Sequence, residues 1–211
     1  MIVMLNKISL LFLFLLLTAT ATFSQSAEWY FIKMPVELLP TLPINSRKDL
    51  VDFYKNERTS VMPAAFGGEM TLKILKDDFI FLKTSQVTDM QIKLLPMNDT
   101  LKLIAVINSA SSPMKNSIIS FYNTDWKPIT GIWKNELTCL DFFNVAGSGE
   151  ELSNRFKNHC VRFFIQLSFE TGSNDLIVSS PIKEDSQGDF PQEFLPFLKD
   201  SFRIVWKNGK F

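Results

Sequence analysis

The sequence predicts an α+β fold, an antiparallel β-meander with a few short packing helices. Two observations predict it. Short stretches of period-two hydrophobicity succeed one another between Met70 and Asn123, joined by connections of only a few residues. Parallel pairing would need crossovers of a dozen residues or more, so these strands are expected to run antiparallel. Helical patterns stand before and after this run, and no low-complexity tract or long linker separates them.

Taken in order, Glu28-Trp29-Tyr30-Phe31-Ile32 reads as a short strand or an apolar lead-in. Pro35, Pro40 and Pro43 then exclude a long helix. Ser46-Arg47-Lys48-Asp49 matches a capping box. A helix is therefore expected from about Arg47 to Asn56, with Leu50, Val51, Phe53 and Tyr54 inward and Asp49 and Asp52 outward. Thr71–Leu75 and Phe79–Thr84 flank Lys76-Asp77-Asp78 as a hairpin. Asp89–Leu95 is a strand stopped by Pro96. Leu101–Asn108 has little polarity on either face, which predicts a central strand covered on both sides. Ser117–Asn123 follows, with Asp125–Ile129 returning alongside it. In the second half, Leu137–Ala146 is expected to be a helix ended by Gly147-Ser148-Gly149, and Glu150–Asn158 a polar helix or loop. Val161 to Glu170 alternates strictly and predicts a strand that pairs with Asp175–Ser180. Asp189 is placed to cap a short helix containing Phe194, Leu195 and Leu198. Ser201–Trp206 completes the chain as a strand before the Asn208-Gly209 turn.

The N-terminus has a different logic. Lys7 precedes the apolar run Ile8–Leu17, and small or hydroxylated residues follow from Thr18 to Ser26. This is the layout of a secretory signal. Its core is about half the ~20 residues that a membrane-crossing helix needs, so no transmembrane anchor is expected after cleavage. Cleavage after Ser24 places Thr22 and Ser24 at the two small-residue positions and leaves Gln25 first. The sequence thus divides into a signal peptide, 1–24, and a single domain, 25–211, or one built of two packed halves, 25–135 and 136–211. The expected location is the periplasm or outer cell surface.

Composition narrows the partners. The leader carries one charge, Lys7, so the remainder holds 21 basic and 22 acidic residues. A nucleic-acid binder needs surplus Lys and Arg to displace counterions from phosphates, and no such surplus exists. Twenty phenylalanines supply ample apolar area for a core. Cys139 and Cys160 read either as a disulfide, which export permits, or as two buried thiols.

Catalytic motifs are sparse. His159 is the single histidine, and no Cys-x-x-Cys, His-Glu-x-x-His, acidic calcium loop or Gly-x-Ser-x-Gly elbow occurs. Gly67-Gly68 and Gly147-Ser148-Gly149 lack the spacing of a phosphate cradle and read as turns. Asp77-Asp78 falls in a turn and Glu150-Glu151 at a helix start, where negative charge is favoured. No catalytic, metal-ligating or cofactor-binding residue is assigned, and no cofactor is expected. Tyr122, Trp126 and Trp133 lie within twelve residues and read as core or as a binding platform for a sugar or peptide. The leading expectation is a non-catalytic binding or interaction module whose partner is an envelope protein or a glycan. Its alternatives are a hydrolase acting on glycans or peptides, using carboxylates such as Asp125 or Asp141, and a carrier of small apolar ligands.

Several segments carry a further resemblance. Met34-Pro35-Val36-Glu37-Leu38-Leu39-Pro40 and Ser46-Arg47-Lys48-Asp49-Leu50-Val51-Asp52-Phe53-Tyr54 are joined by Lys93-Leu94-Leu95-Pro96. Phe121-Tyr122-Asn123-Thr124-Asp125-Trp126 and the ending Trp206-Lys207-Asn208-Gly209-Lys210-Phe211 add to them. Together they resemble an uncharacterised family, a domain of unknown function, of exported proteins from Bacteroidales. The resemblance implies an exported α+β domain and brings no site residues with it.

Overall fold

In the computed structural model, the residues described are 25–64, 68–112, 114–133, 137–160, 164–181 and 191–211. The leader 1–24, the start of the strand expected at Val161, and the proposed cap Asp189 lie outside them.

The period-two segments form one antiparallel sheet whose strands lie side by side in chain order. They are β1 (Val61–Pro63), β2 (Glu69–Leu75), β3 (Phe79–Lys83), β4 (Thr88–Pro96), β5 (Lys102–Ala110) and β6 (Asn116–Tyr122). Register follows the hydrophobic pattern, with Ile92 opposite Val106 and Lys93 opposite Ala105. A bulge between Leu72 and Ile74 turns the end of β2 to the opposite face. The edge strand β1 has no counterpart in the sequence reading; it is three residues long and ends in Pro63, opposite Glu69. The expected return of Asp125–Ile129 is reduced to a single bridge between Tyr122 and Pro128.

Alternation sends successive side chains to opposite faces, and both faces are covered. Met90, Ile92, Leu94, Ile104 and Val106 pack against two helices, α1 (Ala27–Lys33) and α2 (Ile44–Lys55). Leu95, Leu103, Ala105, Ile107 and Phe121 face a second, three-stranded antiparallel sheet. That sheet consists of β7 (Gln166–Phe169), β8 (Leu176–Ser179) and β9 (Ser201–Ile204). The central position expected for the Leu101–Asn108 segment is the one observed. A satellite cluster joins Cys139, Phe143, Phe156, Phe194 and Leu198.

Several elements differ from the sequence reading, each for a local reason. Glu28–Ile32 is helical: the Trp29 N–H donates to Ser26 Oγ at 3.4 Å. Ala27, Tyr30, Phe31 and Met34 recur at helical spacing and are buried. Helix α2 starts at Ile44 behind Pro43, so Ser46 lies inside it and does not act as the cap. The segment expected as a helix over Leu137–Ala146 is divided. Thr138 and Asp141 form a reciprocal cap on a short 3₁₀ turn, Cys139–Phe142, and the four-residue helix α3 (Val145–Ser148) follows. Gly149, at φ 82°, ends α3 and leads into α4 (Glu150–His159). Pro196 keeps Gln192–Phe197 a 3₁₀ turn. The C-terminal turn is as expected, with Asn208 and Gly209 at φ 52° and 75° between bridged Lys207 and Lys210.

The two sheets are tied by side chains that satisfy the free edge of β7. Gln91 Oε1 accepts the Phe169 N–H at 2.9 Å, and Ser117 Oγ accepts the Leu167 N–H at 3.1 Å. The Ser117 N–H in turn donates to the Ile165 carbonyl at 2.8 Å. An unpaired buried N–H costs about 1–3 kcal/mol, so these polar residues fix where the small sheet docks.

Candidate functional site

Along β4, the row Leu95, Lys93, Gln91, Asp89 passes from under the small sheet toward its margin. Lys93 has no exposed surface, and its Nζ donates to Asp78 Oδ2 at 2.6 Å. Gln91 holds Phe169, and beyond it the cover ends. Asp89 therefore sits half-buried at the head of a groove of about 550 Å³. Ile74, turned to this face by the bulge, and Phe81 form its floor, while Lys73, Lys83, Gln86 and Val87 line its rim.

The wall beside it is held in place. Ser85 Oγ accepts the N–H groups of Val87 and Thr88 at 3.1 and 3.0 Å. Ser111 donates its N–H to the Val87 carbonyl at 2.8 Å and its hydroxyl to the same oxygen at 3.2 Å. The apolar floor of the groove is thus ringed by polar and charged side chains, which can fix the orientation of whatever docks there.

Burial holds the Asp89 carboxyl above its ordinary value, while the Ser109 hydroxyl and the Lys83 ammonium pull it down. Ser109 and Lys83 are its cross-strand partners on β5 and β3. A folded carboxyl with a raised value binds its proton more tightly than the unfolded chain does. Its contribution to stability is therefore greatest below the ordinary carboxylate range and is lost as pH rises through the raised value. Urea titrations across pH should show the stability of the parent falling relative to Asp89→Asn over that window, then running parallel above it. A parent that gains stability relative to Asp89→Asn as pH rises would contradict the burial argument.

The aromatic trio is not assembled into one surface. Trp126, 8% exposed, belongs to the core beneath the helices, where its ring lies 5.5 Å from that of Tyr122. Trp133 packs on the other side of the sheet, 6.1 Å from Phe211. Trp126 carries a left-handed backbone, φ 61°, within a turn organised by Asn123. The Asn123 side chain accepts the N–H groups of Asp125 and Lys127. The Trp126 indole N–H is buried without a partner among the described residues.

The remaining candidates have structural duties. Asp78 pairs with Lys93, and the Asp77 carbonyl accepts the Ala27 N–H at 2.7 Å. Asp141 accepts from Thr138, and Glu150 and Glu151 occupy the first turn of α4. Asp125 is exposed, and its charge adds to burial in raising the Tyr30 phenol. His159 ends α4 with its ring 5.5 Å from that of Phe194. Cys139 and Cys160 meet in the satellite cluster with their side chains in hydrogen-bonding reach and no bond between them. Burial and the neighbouring thiol push Cys160 up to about 12. Among the described residues, no cluster of three or more His, Cys, Asp or Glu is arranged to hold a metal ion. No described helix is long and apolar enough to cross a membrane.

The groove residues were absent from the sequence reading because Ile74, Phe81 and Asp89 lie on three strands and meet only through register and the bulge. The one local signal was an Asp–Lys cross-strand pair bordering apolar positions.

A family model described as Protein of unknown function (DUF3256) matches residues 19–211. The chain belongs to that family. A DUF3256 assignment defines relationship and leaves activity open. Among solved structures, a domain of an uncharacterized protein from Porphyromonas gingivalis W83 is similar, with a TM-score of 0.70 and 24% identity. The match covers 87% of this chain and 95% of that one, and at this identity it shows a shared fold. No curated protein matches the chain.

Proposed function

We propose that this DUF3256 protein acts outside the cytoplasm, in the periplasm or at the cell surface, as a non-catalytic binding module for an envelope protein. The groove between β2, β3 and β4 is the docking site. The observation that carries this reading is an apolar floor, Ile74 and Phe81, at the margin of a sheet whose central strands are covered on both faces. Two rim lysines against one aspartate favour an apolar partner segment bearing an acidic residue. Export is supported by the signal-like layout of residues 1–24.

The test is recovery of cross-linked complexes from fractionated cells with the parent chain and with Val87→Asp. Val87 is 45% exposed, so the substitution should leave the fold intact while placing a charge on the rim. One envelope protein is expected with the parent, reduced tenfold or more by the variant. Equal recovery, or a cytoplasmic location of the chain, would count against the proposal.

A further inference from the structure

We propose that Cys139 and Cys160 close into a disulfide that clamps the satellite cluster to the body of the protein. The two residues come from different elements: Cys139 opens the 3₁₀ turn and Cys160 caps the C-terminus of α4. Their side chains are already in hydrogen-bonding reach, among Phe143, Phe156, Phe194 and Leu198. The bridge encloses about 20 residues, all of α3 and α4, a span over which cross-linking restricts the unfolded chain appreciably.

The chemistry is a two-step exchange with an external disulfide of the glutathione or dithiol-oxidase class. One thiolate attacks that disulfide, forming a mixed disulfide and releasing a thiol. The second protein thiolate attacks the mixed disulfide and releases the other thiol. Two S–H bonds are lost, one S–S bond forms, and two electrons with two protons reduce the oxidant. With Cys139 buried, and Cys160 half-buried and a weak acid, the pair reacts slowly once folded, so closure belongs to folding. The bond is a lock, not a switch. In the cell its closure rests on the exported location, because cytoplasmic thiol pools keep such pairs reduced.

The test is refolding of the reduced, purified chain in a glutathione redox buffer, followed by alkylation and intact-mass measurement. This is independent of where the protein resides, so it separates the bridge from the export reading. An unalkylated chain lighter by two hydrogens is expected. Two alkylated thiols, or glutathione adducts in place of the bridge, would overturn the proposal. The melting midpoint of the oxidised chain should fall by roughly 5–10 °C on adding reductant. A Cys139→Ala/Cys160→Ala double variant should be indifferent to reductant. A parent midpoint unmoved by reductant would refute the clamp.

Discussion

Arg47→Met is expected to destabilise the protein by about 3–5 kcal/mol, a substantial share of the ~5–15 kcal/mol that a domain holds in reserve. Arg47 is 1% exposed, inside helix α2, on the stripe that continues with Leu50 and Val51. Among the described residues it has no carboxylate partner; its guanidinium donates to backbone carbonyls instead. Nε reaches the Leu42 oxygen at 2.8 Å. Nη1 reaches Phe31 and Met34 at the end of α1, and Nη2 reaches Leu39 at 3.5 Å. One side chain thereby fastens the end of α1 and the proline-punctuated connection to α2. Methionine fills much of the volume but donates nothing, and each buried carbonyl left without its donor costs about 1–3 kcal/mol. Arg47→Lys should recover only part of the loss, because a compact ammonium cannot span the same acceptors. Burial lowers the Arg47 pKa, so this network is maintained against a desolvation cost. Urea unfolding of the three chains tests the argument: midpoints should fall in the order Arg, Lys, Met. Coincident midpoints would show that the carbonyls find other donors.

Phe156→Ala should cost about 3–5 kcal/mol, the range for truncating a buried aromatic side chain. Phe156, together with the half-buried Leu152, forms the apolar side of the helix, and Glu150, Glu151, Arg155 and Lys157 are turned outward. Its ring stacks on Phe143 at 4.3 Å and 11°, and meets Phe194 edge-on at 5.4 Å. Removing it takes α4's main contact with both neighbours. Phe156→Leu keeps much of the volume and should cost distinctly less. Denaturant midpoints compare the two; a Phe156→Ala chain as stable as the parent would show that the stack contributes nothing, and equal losses would show that filled volume is not what counts.

The meander was legible because period two is unambiguous over strands of this length, and short connections leave antiparallel pairing as the natural solution. The helices were legible in part. Ser26 was absorbed into the expected cleavage region, which hid the cap that makes Ala27–Lys33 helical. Five residues such as Glu28–Ile32 fit a strand equally well.

Buried polar residues were the harder case. Arg47 occupies a core position of its own helix stripe, and Gln91 and Lys93 alternate with Ile92 and Leu94 as a solvated face would. What buries Gln91 and Lys93 is a second sheet contributed by residues more than seventy positions later, with Phe169 docked on Gln91. The groove has the same origin. Its head is Asp89, the next member of that row, at the point where the second sheet no longer covers it. No local pattern encodes where that cover stops.

The most direct measurement is photo-cross-linking in intact cells, with a photoreactive residue at Val87 on the groove rim. A matched chain carries the same residue at Ile118, 67% exposed on β6 and outside the groove. A discrete adduct to one envelope protein from Val87, absent from Ile118, is the result expected of a binding module that docks its partner in the β2–β4 groove. Identical adducts from both positions, or none from Val87, would contradict it.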